Sequence, residues 1–583
     1  MNALWPFFRR FLLYRTRLVA GLLCIPLAQL ADVGITLFIG DAIDRARSAD
    51  GTDWMRNVLI WLTIFALARV VFRFLQRWLI VVVSRQFEVD LKQDTFDRLT
   101  RLSFDFHNKS RSGDVVSRLT SDVENVRMFL GPGMMYTAGA VVVVPFSLAV
   151  LFSIQPEVTL TMIVPMVFMG WVMKKLTPRI HRHSVAVQES LADISHRAQE
   201  NFGGIRVVQA TGIEDGQAER FAKSSRSNRD NQIAMGSARG LTHASIHGSF
   251  DVTFIVILVV GGLAAIDRTL PVGGLFKFID LTIKVFWPLI AMGWIAGMFA
   301  RASASAKRVT ELLEEEPTIQ DGEHPVDLDP MRGELDLSEV CFCYEGADKP
   351  ALQGISFEVP AGSTLGVVGP TGSGKTTLLA LMGRLFDCEG SLRIDGHPIT
   401  SVSLQSLRSS LGYVPQDSFL FSAPYDENIR FGADAEMSEE QVRDYVRRAA
   451  MEDEVLNFPD QYKQLVGERG VTLSGGQRQR TCIARALAKE PQVLILDDCL
   501  SAVDSETEEA LLRSLREAGQ SRTVLIAAHR LSSVSSADQI LVLGEDGSME
   551  AKGTHKELLA RPGWYKDTWA HQQRRVQHAG EGE

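Results

Sequence analysis

Thr364-Leu365-Gly366-Val367-Val368, followed by Gly369-Pro370-Thr371-Gly372-Ser373-Gly374-Lys375-Thr376-Thr377, is the stretch from which the rest of the chain can be placed. The apolar run reads as a buried strand, and the glycine-rich turn after it opens a helical pattern. Such a turn lets backbone N–H groups converge on phosphate. Lys375 adds a point charge, and the Thr376 hydroxyl can bind magnesium. Short apolar strands alternate with helical segments from about Gly333 onward, so the C-terminal part is expected to be an α/β domain that binds a nucleotide.

Two further segments belong with that loop. The run Val493-Leu494-Ile495-Leu496 ends in Asp497 and Asp498. A carboxylate at such a strand end is where a P-loop enzyme holds magnesium, which is Asp497, and the next residue is the natural place for one that polarises attacking water, which is Asp498. Between the two strands lies Leu473-Ser474-Gly475-Gly476-Gln477, leading into a helix over Arg478 to Leu487. Ser474 is placed to cap that helix, whose bare amides form a second anion-binding surface. One subunit cannot easily turn both surfaces on the same phosphate, so a head-to-tail pair of domains is the economical arrangement.

The N-terminal half is of another kind. The chain has 583 residues, 46% hydrophobic and only 22% charged, too long for one core and too apolar for disorder. Six stretches of roughly membrane-spanning length all end within about the first 300 residues: Leu18 to Gly40, Val58 to Val83, Gly133 to Ile154, Val158 to Met173, Ile246 to Ile266 and Leu275 to Ala300. Gln155, Pro156 and Glu157 make a tight hairpin of the third and fourth. Arg9, Arg10, Arg15 and Arg17 precede the first, but no convincing cleavage site follows, so it reads as a retained helix. Lys and Arg crowd the connections after the second and fourth spans, which predicts cytoplasmic termini. Those connections keep helical patterning, and breakers near Ser110 to Asp114 and Phe202 to Ile205 predict bends that could dock on a soluble domain.

Charges inside spans are expensive and mark function by default. Asp32, Arg73, Asp251, Lys277, Asp280 and Lys284 are such charges, and a substrate-facing cavity competes with local pairing of Lys277 and Lys284 to Asp280. Phe286, Trp287, Trp294 and Phe299 add aromatic surface. His243 and His247, one turn apart, read as polar residues of a helix face. Cys24, Cys341, Cys343, Cys388, Cys482 and Cys499 form no CxxC pair and read as reduced packing residues. The net charge of -9 gives no support to nucleic-acid binding.

In this order the motifs resemble an ABC transporter half of the six-helix exporter type over nearly the whole chain. The resemblance implies a membrane all-α domain of six long helices over residues 1–310, a linker over 311–332, a C-terminal ABC-type P-loop ATPase domain over 333–575 and a polar tail over 576–583. It implies ATP and Mg2+ as ligands, with magnesium at Thr376, Gln416 and Asp497. Tyr344 resembles the adenine-stacking aromatic, and Gly369 through Thr377 the phosphate loop. Gln416 resembles the Q-loop glutamine and His529 the switch histidine. Leu473 to Gln477 resembles the signature that completes a partner's ATP site, and Ser501 to Asp504 the D-loop. Gly467 to Gly470 resembles the segment that senses the helical domain. Ser112 to Asp114 with Ser117 to Asp122, and Gly204 to Val208, resemble the two intracellular loops whose coupling helices would fall on the predicted bends. Asp32, Asp251, Lys277, Asp280, Lys284 and Trp287 are the candidate substrate-cavity residues.

One position departs from the pattern: the family usually carries glutamate where this chain has Asp498. The carboxylate retracts by about 1.5 Å, and a misplacement of about 1 Å can cost a general base about 100-fold. Exporters with aspartate here are commonly one subunit of a heterodimer with one weak and one active ATP site. The resemblance therefore implies a bacterial inner-membrane, multi-pass subunit in the lipid bilayer that pairs with a second half-transporter and exports amphipathic drugs, lipids or peptides. A homodimer with a slow aspartate base and a non-hydrolysing gating subunit are the alternatives.

Overall fold

The computed structural model describes residues 2–47, 53–433, 436–517 and 522–580. It divides into two compact units, Met1–Thr100 with Ser112–Glu315, and Arg101–Arg111 with Glu316–Glu583.

Among the described residues, the first unit contains six helices long and apolar enough to cross a membrane: Trp5–Arg47, Trp54–Arg101, Ser112–Ile154, Pro156–Gly203, Glu214–Ile266 and Val272–Glu314. Each expected span lies inside one of them. The second and fourth have 48 residues, or about 72 Å at helical rise, against a hydrocarbon core of about 30 Å. They must therefore continue well beyond the bilayer. The hairpin between the third and fourth closes at Gln155, whose extended backbone (φ -156°, ψ 101°) hands over to Pro156 at the first helical position. Buried side chains of the first, third, fourth, fifth and sixth spans, including Val33, Leu151, Met162, Ile257, Phe278 and Leu281, form one core of the unit. Phe286 belongs to this core, edge-on to Phe250 at 5.1 Å, rather than to a cargo-facing surface.

The two expected bends come out differently. The second falls at Gly204, between the fourth helix and the short helix Ile205–Thr211, as the breakers indicated. At the first, the chain breaks at Ser110, as expected, and also upstream at Ser103. The short helix there is Phe104–Lys109, flanked by extended Ser103 (ψ 156°) and Ser110 (ψ 133°), and Ser112, Gly113 and Asp114 already form the first turn of the next helix. Ser103 breaks the chain because its hydroxyl accepts the Ile319 N–H (3.0 Å). Phe104–Lys109 consequently belongs to the second unit.

That second unit is built on two sheets. Strands β1 (Leu335–Phe342), β2 (Leu352–Val359), β4 (Glu389–Ile394) and β5 (His397–Pro398) form an antiparallel sheet in the order β2-β1-β4-β5. Strands β3 (Thr364–Val368), β6 (Leu411–Val414), β7 (Val493–Asp497), β8 (Thr523–Ala527), β9 (Gln539–Leu543) and β10 (Met549–Gly553) form the other, in the order β10-β9-β3-β8-β7-β6. All its neighbours are parallel except β9 and β10. The five residues of β7 are all buried, as a central parallel strand covered on both faces requires.

The sixth membrane helix runs to Glu314, and a last helix, Trp564–Gly580, extends past residue 575. All six cysteines are free. Cys24, Cys482 and Cys499 are buried, but Cys343 is exposed, its thiol 3.5 Å from the Ala347 and Lys349 carbonyls, so the packing role expected for it does not hold.

Candidate functional site

The register of the six-stranded sheet collects the sequence motifs at one edge. Ala527 of β8 pairs with Val367 of β3 on one side and with Asp497 of β7 on the other. One or two residues past that level come Gly369, Asp498 and His529, and Gln416 lies two residues beyond the end of β6, the next strand out. Ligands of open α/β sheets bind at this carboxyl edge.

The loop from Gly369 to Gly374 opens the helix Lys375–Met382. Gly374 stands at φ +90°, and a Cβ there would come within 2.5 Å of the Ala351 carbonyl oxygen, so both conformation and space demand glycine. The Lys375 ammonium is buried and donates to the carbonyls of Gly369 and Pro370, at 2.9 Å each. Burial pushes its pKa down, against the pull of Asp498 and Asp497. Ser373 and Thr377 are buried, while Pro370, Thr371 and Thr376 lie nearer the surface.

The Thr376 hydroxyl donates to Asp497 Oδ1 (3.1 Å). Asp497 Oδ2 is buried and has no hydrogen-bond partner among the described residues. Burial raises the Asp497 carboxyl above its ordinary value. A hydroxyl and an unsatisfied carboxylate oxygen side by side form a hard-oxygen donor set that fits Mg2+. Gln416 is exposed at this edge.

Asp498 adopts the left-handed backbone region (φ +44°). Its N–H donates to the Ala527 carbonyl (2.9 Å), and its own carbonyl accepts from the Ser501 hydroxyl (3.0 Å). His529 is exposed, and its carbonyl accepts from Gln572 (3.0 Å). Asp504 caps the helix Ser505–Glu517, accepting from the Thr507 N–H at 2.9 Å.

Tyr344 is partly exposed (39%) and bonds to the Thr377 hydroxyl through its own (3.0 Å). Behind it lies Phe386, edge-on at 5.6 Å, and Phe386 in turn meets Phe104 of the short helix Phe104–Lys109 at 5.9 Å. Lys109 of the same helix pairs with Glu345. Phe386 and Glu345 are partners that no local pattern marks; the only sequence signal is the aromatic doublet Phe342 and Tyr344 beside which Phe386 must pack.

Ser474 caps the helix Gly475–Leu487 as expected. Its hydroxyl accepts the Gln477 N–H (3.2 Å), and the Gln477 side chain returns to the Ser474 N–H (2.8 Å), a reciprocal capping box. Gln477 also donates to Glu454 (2.7 Å), which pairs with Arg480. Gly476 approaches the D-loop closely: a Cβ there would lie 2.8 Å from the Ala502 carbonyl oxygen. Leu473 is buried and Gly475 carries no side chain, which leaves the helix start open to an incoming anion.

In the membrane unit, Asp32 is 6% exposed and lies at the centre of a charge cluster. Arg69 reaches Oδ1 (3.0 Å), Arg73 reaches Oδ2 (2.9 Å), and Lys284 lies 3.5 Å from Oδ1 and 2.9 Å from Asp280. Thr36 links Lys284 to Asp280. Lys277 does not pair with Asp280, as local spacing suggested, but with Asp41, because the first helix brings that carboxylate closer. Asp251 and Trp287 are exposed and stand apart from these ion pairs. Arg69 is the residue the sequence reading missed; its spacing of four from Arg73 inside an apolar span was the available signal.

With this geometry in place, comparison with known proteins is direct. The family model described as "ABC transporter transmembrane region" matches residues 18–289, and the one described as "ABC transporter" matches 352–501. The multidrug resistance-like ATP-binding protein MdlA of Escherichia coli (strain K12) is 34% identical over 95% of this chain and 93% of its own length. The ABC transporter ATP-binding protein YknU of Bacillus subtilis (strain 168) is 36% identical over 84% of each. A solved structure of a bacterial Atm1-family ABC exporter with ATP bound covers 96% of this chain and 99% of its own, with TM-score 0.80 and 27% identity. The chain belongs to the ABC transporter family and is an exporter-type half-transporter, one six-helix membrane domain joined to one ATPase domain. It is a multi-pass membrane protein whose ATPase domain binds ATP with Mg2+, and exporters of this family act as dimers in a lipid bilayer.

Proposed function

We propose that this chain is one half of a heterodimeric exporter of amphipathic molecules, holding a weakly hydrolytic ATP site of its own and completing the active site of its partner. The observation that carries the reading is Asp498, one methylene shorter than the glutamate usual at this position. The backbone that carries the shorter side chain is held in place. It is tied on one side to Ala527 and on the other to Ser501, in the left-handed region that resists adjustment.

The remaining residues divide between two sites. In the chain's own site, Tyr344 stacks on adenine, the loop Gly369 to Thr377 cradles phosphate, and Thr376, Asp497 and Gln416 hold magnesium. Asp498 and His529 face the terminal phosphate there, the first from too far back to activate water quickly. Ser474, Gly475, Gly476 and Gln477, with Leu473 behind them and Ser501 and Asp504 alongside, close on the partner's nucleotide. Closure of the two ATPase domains opens the cavity outward, hydrolysis at the partner's site resets it, and Phe104–Lys109 and Ile205–Thr211 carry the motion. The name of the Escherichia coli relative, multidrug resistance-like, supports an amphipathic cargo. Positive charge beside the second and fourth spans supports cytoplasmic termini in a bacterial inner membrane.

The test is the native complex. It should contain two different polypeptides, Asp498→Asn should change its ATPase activity little, and Ser474→Arg should nearly abolish it. A single polypeptide, or loss of all turnover with Asp498→Asn alone, overturns the reading in favour of a homodimer.

A further inference from the structure

We infer that the Asp32 cluster and an apolar cavity further along the sixth helix together bind an anionic amphiphile, the acidic head at the cluster and the apolar body in the cavity. The inference rests on reading the chain as an exporter of amphipathic cargo and adds the sign of that cargo's charge.

Three cations, Arg69, Arg73 and Lys284, face two carboxylates, Asp32 and Asp280, which leaves one positive charge in surplus. Arg69 lies 16 residues into its helix from Asp53, about 24 Å along the axis, deep enough to stand inside the bilayer. Side chains of Arg69 and Arg73 are nevertheless 36% and 54% exposed. A surplus charge at that depth is unfavourable toward lipid and persists where it meets water or a counter-charge.

The cavity is apolar, about 600 Å³ in volume, and lies between the third and sixth spans, lined by Phe129, Thr137, Val141, Met292, Ile295 and Phe299 among others. That is the size of a drug-like ligand's apolar part. Lys284, Pro288, Met292, Ile295 and Phe299 follow one another at spacings of three or four, so one stripe of a single helix runs from the charge cluster to the cavity. Lys284 and Ile295 are about 16 Å apart along the axis. A molecule with its acidic group at one end matches that separation. A cationic amphiphile meets like charge at the same place.

The test uses the full-length chain, together with any partner that co-purifies, nucleotide-free in phosphatidylcholine nanodiscs. A dansylated fatty acid and the dansylated fatty amine of equal length are titrated by fluorescence. The acid should bind about tenfold tighter than the amine. Arg73→Gln neutralises the surplus without stranding Asp32 and should bring the two affinities together. Asp280→Asn enlarges the surplus and should widen the preference, a gain that misfolding cannot imitate. Ala296→Trp fills the cavity and should weaken both probes. Equal or tighter binding of the amine, an Arg73→Gln effect that is the same on both probes, unchanged binding in Ala296→Trp, or displacement of the acid by phosphatidylglycerol in the disc overturns the inference. Because no ATP is present, these outcomes are independent of the ATPase test of subunit pairing.

Discussion

Asp32 and Asp497 are both buried aspartates, 6% and 2% exposed, one in the membrane unit and one at the ATP site, and their partners differ in a telling way. Each oxygen of Asp32 accepts from a cation. Asp497 gives one oxygen to Thr376 and leaves the other buried and unmatched. A satisfied acid holds its own fold together, whereas an unsatisfied one costs the fold something and is stabilised by a ligand that brings positive charge. Burial without a full set of partners is thus a better pointer to a binding site than burial alone.

The largest expected effect breaks the satisfied side of this contrast. Asp32→Asn should lower the stability of the membrane unit by about 3 kcal/mol, because it leaves three cations facing a single carboxylate; thermal unfolding of the protein in nanodiscs would measure it. If the melting temperature is unchanged, Asp32 is not the structural centre of its cluster.

Asp497→Asn should act with the opposite sign. The folded-state pKa of Asp497 is raised, so its contribution to nucleotide-free stability is present below the ordinary carboxylate range and is lost as pH rises through the raised value. The substitution removes that loss and should raise the nucleotide-free melting temperature at neutral pH by about 2 °C. In the same protein, the dependence of ATP affinity on Mg2+ should vanish. A fall in melting temperature would place Asp497 with Asp32 as a structural acid.

Two smaller effects sharpen the comparison within the ATPase domain. Tyr344→Ala should weaken nucleotide binding about tenfold, the worth of one aromatic stacking contact, while Tyr344→Phe, losing only the bond to Thr377, should change it far less; titration with a fluorescent ATP analogue separates them. Ser474→Ala removes a satisfied cap and should cost about 1 kcal/mol in thermal stability. Ser474 is therefore a residue on which the helix start depends and, on the proposed function, the partner's nucleotide as well.

Much of this was legible in the sequence because it is local. Spans, capping serine, phosphate loop and strand-terminal aspartates are each written within about twenty consecutive residues, and periodicity or chain geometry then fixes them. What escaped was brought together by tertiary packing. Lys277 finds Asp41 rather than Asp280, Asp32 gathers Arg69 as well as Arg73, and Phe386 joins Phe104 to Tyr344 across stretches with no shared period. Of the two breaks that flank Phe104–Lys109, the one at Ser110 was legible, while the one at Ser103, whose hydroxyl accepts the Ile319 N–H from more than two hundred residues away, was not. Phe286 looked like cargo-facing aromatic surface because periodicity does not distinguish one apolar face of a membrane helix from another.

Lys375 shows what such prior arrangement achieves. Its ammonium is already out of bulk water, resting on the carbonyls of its own loop. On the proposed function, an arriving phosphate would take over a dehydrated cation by exchange of neighbours, the stripping of its water shell having been completed when the chain folded. The nucleotide's binding energy would then be left free for closing the two ATPase domains that the proposed function pairs.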